Sequence, residues 1–281
     1  MDQTTPAETT YRRVAVIGSG TIATGLAAVA STAAETVVLL ARSTESAKRA
    51  EGAIAKALTR LKAESVAAIE VTIDQDGLAG SGLVVEAVAE DADLKIDLLT
   101  KSAGVAPEAD LATTTSSLSI SGLAAGVGRP GSLVGIHVFN PVTGMDLVEL
   151  CVPDEVPDEV ADRAESWCRE VGKTPVRVPD IPGFVVNRLL FPYLFEAVRL
   201  MEATGMEPAD VDTCMKLGVG HPMGPLALLD LVGLDVAVAI GETLAADSGN
   251  PNHLAPSAIS DRVARGDLGR KTGRGFFEYG A

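Results

Sequence analysis

An α/β domain built on a mostly parallel sheet, followed by an all-α domain, is the fold that this sequence predicts. Three observations carry it. Short apolar runs alternate with helix-patterned segments from Arg12 to Val178, as strand–helix–strand units require. The first run feeds straight into Gly18-Ser19-Gly20, a turn that opens a small-residue helix. Beyond Pro179-Asp180-Ile181-Pro182-Gly183 strand patterning stops and helical patterning takes over. The expected division is therefore 1–182 and 183–281, with 1–11 a frayed polar tail containing Pro6 and Glu8 but no apolar core.

Taken in order, Arg12–Ile17 is a strand and Leu26–Ala34 continues the first helix. Gly18 permits the tight turn, and Gly20 lets the backbone approach a pyrophosphate. Ala23, in the third place, still allows close helix–strand packing. Thr21 and Ile22 open the helix, whose N–H groups and positive dipole end suit phosphates. A glycine turn that serves packing alone is the plainer alternative; the strand–turn–helix setting favours a Rossmann-like dinucleotide site. The second strand, Thr36–Leu40, ends in Ala41-Arg42-Ser43. NAD-binding units usually close this strand with an Asp or Glu that holds the ribose hydroxyls. Ala41 has no carboxylate, while Arg42 and Ser43 offer a cation and a hydroxyl. The expected cofactor is NAD(P), with NADP favoured over NAD. The competing reading makes Arg42 a solvated strand-end residue.

Thr44–Glu64 reads as one amphipathic helix with Ala50, Ile54, Ala57 and Leu61 on its apolar side. Its Lys56 and Arg60, with Lys62, either meet an anionic tail or are simply solvated. Strands follow at Ala68–Ile73 and Leu83–Val88, then a helix at Asp91–Ala103 and a strand at Asp110–Thr114. A Gly-rich interval after Ser117 leads to the run Leu133-Val134-Gly135-Ile136-His137-Val138. Asn140-Pro141 then breaks regular structure. A second run, Leu147-Val148-Glu149-Leu150, can pair with the first. Glu149 could then hold one imidazole nitrogen of His137 and leave the other to act as a base. Pro157–Val171 is a helix and Pro175–Val178 a last strand. In the helical half, Phe184–Ala203 (with Pro192 expected to kink it), Glu207–Leu217, Pro225–Leu231, Leu234–Ala246 and Pro256–Arg265 read as helices. His221 reads as a turn residue and His253 as exposed.

Ser116, His137 within His-Val-Phe-Asn-Pro, Glu149, and Asn187 within Pro182-Gly183-Phe184-Val185-Val186-Asn187-Arg188 stand in one order along the chain. With Gly18-Ser19-Gly20, Val85-Glu86-Ala87-Val88-Ala89-Glu90, His221-Pro222-Met223-Gly224-Pro225 and Gly269-Arg270-Lys271-Thr272-Gly273, they resemble the 3-hydroxyacyl-CoA dehydrogenase family from Val14 to Tyr279. The resemblance implies that His137 is the base, Glu149 orients it, and Ser116 and Asn187 hydrogen-bond the substrate oxygen. It implies that Glu90 and Lys95 lie near the nicotinamide ribose, and Asn140 is counted among the cofactor-binding residues. Two departures stand out: the position of Ala41 is generally acidic in the family, and Thr114 stands where relatives usually have Asn. Relatives also carry a longer helical hairpin after the second strand, which helps to grip CoA.

Formal charge is −15 with no basic run, which argues against nucleic acid or an anionic membrane as partner. The apolar runs are too short and interrupted for a membrane span. Cys151, Cys168 and Cys214 are widely spaced and odd in number, so a reduced cytoplasmic protein without a metal site is expected. The reading is thus an enzyme that moves a hydride between NAD(P) and an L-3-hydroxyacyl thioester, most simply 3-hydroxybutyryl-CoA. It would be a homodimer through the helical domain, as family members commonly are. A same-fold dehydrogenase of a carrier-protein-bound or free hydroxy acid, and a non-catalytic nucleotide-binding structural protein, are the alternatives.

Overall fold

The computed structural model describes residues 9–63 and 65–280. The chain divides between Asp180 and Ile181 into two compact units. The first runs β1 (Arg13–Ile17), α1 (Thr21–Ala30), β2 (Thr36–Leu40), α2 (Thr44–Leu61) and β3 (Ala68–Thr72). After a 3₁₀ turn at Gln75–Leu78 come β4 (Leu83–Glu86), α3 (Ala92–Val105), β5 (Asp110–Thr113), α4 (Ile120–Val127) and β6 (Leu133–Val138). β7 (Leu147–Cys151), α5 (Asp158–Glu170) and β8 (Thr174–Val178) complete it.

All eight strands form one sheet in the order β3-β2-β1-β4-β5-β6-β7-β8. Pairing is parallel from β3 across to β6, since the chain between those strands is long enough to cross a face of the sheet. The loop 139–146 is too short for a crossover, so β7 pairs antiparallel with β6. β8 then lies parallel to β7 by way of α5. Pro175 is tolerated in β8 because that strand is an edge. Alternate residues choose opposite faces. Val14, Val16, Leu83, Val85 and Ala112 pack in one core with Leu26 of α1, Ile54 of α2 and Trp167 of α5. The other face carries α3 and α4, where Leu99, Ile120 and Leu123 are buried. Each large apolar side chain removed from water there contributes about 1.5–3 kcal/mol.

The N-terminal expectation needs correction. Residues 1–8 lie outside the described residues, but Thr10 and Tyr11 are not frayed. The Thr10 hydroxyl donates to Glu170. Tyr11 is buried, and its hydroxyl donates to Asp110 at 2.6 Å. Arg163 clasps the same carboxylate at 2.7 and 2.8 Å.

The second unit is helical, with α6 (Val186–Thr204), α7 (Pro208–Gly218), α8 (Pro225–Val232), α9 (Leu234–Ser248) and α10 (Ser257–Ala264). α6 continues across Pro192. Its core joins Phe191, Leu194 and Phe195 of α6 to Leu229, Leu244 and Ile259. Two buried carboxylates explain the Gly-rich motifs of this half. Asp212 accepts from the N–H groups of Leu226 and Ala227 at 2.8 and 3.0 Å, completing the start of α8. Asp230 accepts from Phe276 and Phe277 N–H, both at 2.9 Å, and from the Tyr279 hydroxyl at 3.1 Å. A Cβ at Gly275 would sit 2.0 Å from that carboxylate, so only glycine fits there. Asp230→Ala leaves two peptide N–H groups without their charged acceptor. Charge-assisted bonds contribute about 1.5–3 kcal/mol each, so urea unfolding of that variant should show a loss of about 3 kcal/mol or more; a loss below about 1 kcal/mol would mean that solvent replaces the carboxylate.

Among the described residues no helix is long and apolar enough to cross a membrane. No group of three His, Cys, Asp or Glu among them is disposed to hold a metal ion.

Candidate active site

Five of the residues singled out in the sequence stand at or near the carboxyl ends of parallel strands. Gly18 follows β1, Ala41 follows β2, Glu90 follows β4, Ser116 follows β5, and His137 is the penultimate residue of β6. The strand order turns about β1, which has β2 on one side and β4 on the other. Crevices at such switch points are where open α/β sheets bind ligands. A cavity of about 740 Å³ opens here, and Gly18, Gly20, Ala41, Arg42, Glu90 and Ser116 line it, with Thr21 and Ile22 on the same wall.

The glycine turn is shaped for an anion. Gly18 has φ +127°, and a Cβ there would lie 2.5 Å from the Ala87 carbonyl oxygen. Its N–H donates to Leu40 at 2.9 Å, tying the turn to β2. Gly20 caps α1 without a side-chain acceptor, and the first turn of α1 holds no acidic residue. A Cβ at Gly20 would meet nothing within 4 Å, so the approach from outside is open. An uncapped helix end facing such a cavity fits a pyrophosphate, so the residues present suit a dinucleotide. On the β2 side, Ala41 is 1% exposed and Arg42 and Ser43 are exposed. Ser43 also caps α2 in reciprocal bonds with Ser46. Arg42 has no ion pair among the described residues.

On the β4–β5 side Glu90 anchors the serine loop. Its Oε1 accepts from the Thr115 hydroxyl at 2.5 Å, from Ser116 N–H at 2.9 Å, and from Ser117 N–H and hydroxyl at 3.1 and 2.9 Å. Burial pushes the Glu90 carboxyl's pKa up, but the Thr115 bond, the Lys95 charge and the Ser116 and Ser117 donors outweigh it and hold the group below its usual range. Lys95 departs from expectation. It is 0% exposed and not on the cavity wall; its ammonium bridges Glu86 at 2.9 and 3.0 Å and reaches Glu90 at 3.4 Å. Glu86 also accepts from the Thr113 hydroxyl at 2.7 Å and Val88 N–H at 2.6 Å. Sequence reasoning gave Glu86, Thr113 and Thr115 no role. The available signal was a carboxylate closing the apolar run Leu83-Val84-Val85-Glu86.

His137 and Glu149 stand directly opposite each other in the β6–β7 ladder. His137 Nδ1 lies 2.7 Å from Glu149 Oε2, with the two residues 7% and 1% exposed. A carboxylate can only accept, so the ring's Nδ1 carries the proton and Nε2 is its basic nitrogen. Phe139 packs on the imidazole at 4.6 Å between ring centroids. Asn140, half of a cis Asn140–Pro141 bond, is exposed and lines a second cleft of about 340 Å³. That cleft lies between the start of α1, the loop 140–143, and Arg49, Lys56 and Arg60 of α2. Lys62 ends α2 in a left-handed conformation and is not on that wall. Asn187 is in the first turn of α6, in the helical unit, and is half-buried. His221 meets Tyr193 edge-on, and His253 closes a 3₁₀ turn; neither belongs to the cavities described.

A dinucleotide cradle with a buried His–Glu pair on the same strand edge defines a nicotinamide-dependent dehydrogenase. Comparison with known proteins makes the class specific. Residues 13–181 match the family description "3-hydroxyacyl-CoA dehydrogenase, NAD binding domain", and residues 183–279 match the C-terminal domain of the same family. The chain belongs to the 3-hydroxyacyl-CoA dehydrogenase family. A probable 3-hydroxybutyryl-CoA dehydrogenase from Deinococcus radiodurans is 39% identical over 275 residues, which span 94% of this chain and 99% of that one. The crystal structure of (S)-3-hydroxybutyryl-CoA dehydrogenase PaaH1 from Ralstonia eutropha has a TM-score of 0.89 at 35% identity, covering 96% of this chain and all (100%) of that chain. That of FadB2 from M. tuberculosis has a TM-score of 0.90 at 36% identity, covering 96% and 99%.

Proposed function

We propose that this enzyme interconverts an L-3-hydroxyacyl-CoA, most simply 3-hydroxybutyryl-CoA, and its 3-oxo counterpart, using NADP(H) in preference to NAD(H). The observation that carries the chemistry is the buried His137–Glu149 pair at 2.7 Å. The glycine turn and the start of α1 would hold a nicotinamide dinucleotide, which would supply the acceptance or return of the hydride. His137 Nε2 takes the hydroxyl proton as the carbonyl forms, and Glu149 stabilises the imidazolium that results. Ser116, on the loop that Glu90 fixes, hydrogen-bonds the substrate oxygen. In the reductive direction the imidazolium returns its proton to the forming alkoxide.

CoA is favoured over a free hydroxy acid by the second cleft. CoA is a polyanion and the chain carries −15, so binding calls for a local concentration of cations. Lys56 and Arg60 supply it: both are exposed on that cleft and make no ion pair among the described residues. Arg49 adds a third cation, shared with Glu45 at 2.5 Å. The free cysteines, two buried and one exposed, suit a reducing compartment, and we assign the cytoplasm. Purified protein assayed on acetoacetyl-CoA with NADH and NADPH separately tests the reading. Nicotinamide binding without turnover would support the structural-protein alternative instead.

The helical unit exposes Leu217 at 81%, Val219 at 63% and Leu189 at 69%, an apolar display that favours self-association through this half. Light scattering should find a dimer at micromolar concentration, and Leu217→Lys should shift it toward monomer. A monomeric wild type would overturn this part.

A further inference from the structure

We infer that Lys173 is a positioning residue that sets affinity for the CoA arm of the substrate by fixing one wall of the second cleft; this rests on the reading that CoA lies there. The wall is the loop joining β6 to β7, and Asn140, Pro141, Val142 and Thr143 face the cleft opposite Lys56 and Arg60. A loop of this kind has peptide carbonyls with no strand partner, and each needs a donor. Lys173, between α5 and β8, supplies one ammonium to two of them. Its Nζ donates to the Val142 carbonyl at 2.5 Å and the Met145 carbonyl at 2.7 Å. Thr174 N–H beside it donates to the Asp146 carbonyl at 2.8 Å. From the other side Val142 is wedged against α1, where a Cβ at Gly25 would sit 2.8 Å from the Val142 Cβ. The loop is thus held between a helix and a cation. Burial lowers the ammonium's pKa, with Asp146 acting the other way, so the charge is partly withdrawn from water and its bonds are correspondingly strong.

The base does not depend on this clamp. His137 and Glu149 are held by the sheet, within four register pairs from Gly135–Cys151 to Val138–Val148. Loss of the clamp should therefore loosen the cleft wall and leave the proton-transfer pair in place. An effect on KM for the CoA substrate, with kcat unchanged, separates this role from a general loss of structure.

The experiment compares acetoacetyl-CoA with acetoacetyl-N-acetylcysteamine, a thioester without the nucleotide arm, on wild type and Lys173→Met. The expected result is a KM for the CoA thioester raised about tenfold, with kcat within about twofold. KM for the truncated thioester should stay put. Lys173→Arg, which can still reach two carbonyls with charged donors, should restore most of the affinity. If Lys173→Met does not fold, Lys173→Gln is read in the same way. Wild type using both thioesters with equal efficiency would overturn the CoA reading and this inference with it. Wild type preferring CoA, with Lys173→Met unchanged or equally impaired on both substrates, would overturn the inference alone.

Discussion

Turnover by the His137→Gln variant should fall by about two to four powers of ten, the usual worth of a positioned general base, while nicotinamide binding survives. The size follows from the geometry. The imidazole is buried, its Nδ1 is committed to Glu149 at 2.7 Å, and glutamine has no nitrogen able to take a proton near neutral pH. The cofactor cradle is built from the ends of β1 and β2, so the substitution leaves it intact. Glu149→Gln should be milder, because an amide oxygen can still accept from Nδ1 while losing the charge that stabilises the imidazolium. Circular dichroism must show both variants folded. Residual turnover of His137→Gln within a few-fold of wild type would remove His137 from the role of base.

The His–Glu pair was legible in the sequence for a physical reason. Both residues lie in short apolar runs joined by a segment with no room for a crossover, which leaves an antiparallel pairing as the simple solution. The strand–turn–helix at Gly18 was legible because a parallel strand buried on both faces reads as a continuous apolar run ending in glycine. Other parts depend on contacts distant in sequence. α4 lies in the Gly-rich interval after Ser117 and carries no strong helix signal, because Gly122 and Gly126 lower its helix propensity. Its start is completed from far away: the Asp180 carboxylate accepts from Ile120 and Ser121 N–H at 2.9 and 2.8 Å. The resemblance puts Lys95 near the nicotinamide ribose, and the sequence alone does not show that Glu86 draws its ammonium inward; a charge that deep is tolerated only with such partners. Tyr11 looked frayed because its neighbours are polar; Asp110 and Arg163, which make it part of the core's rim, are remote along the chain.

Wild type should use NADPH more efficiently than NADH, by tenfold or more, and Ala41→Asp combined with Arg42→Gln should reverse the order. Ala41 closes β2 on the cavity wall at 1% exposure, where a carboxylate would accept from both ribose hydroxyls and repel a 2′-phosphate. Arg42 beside it is exposed, lines the same cavity, and has no ion pair among the described residues, so its charge is uncommitted. Ser43 already accepts from Ser46 N–H as the cap of α2, and its contribution to a phosphate is therefore secondary to that of Arg42. The dipole end of α2 adds attraction; Glu45 in its first turn opposes it but is paired with Arg49 at 2.5 Å. A charge-assisted contact is worth about 1.5–3 kcal/mol, which corresponds to roughly tenfold to a hundredfold in catalytic efficiency. Because Arg42 is solvent-exposed, raising ionic strength should narrow the preference. Initial rates with each reduced nicotinamide on wild type, Arg42→Gln and the double variant decide the matter. A wild type that favours NADH, or an Arg42→Gln variant with an unmoved ratio, would make Arg42 an ordinary solvated side chain.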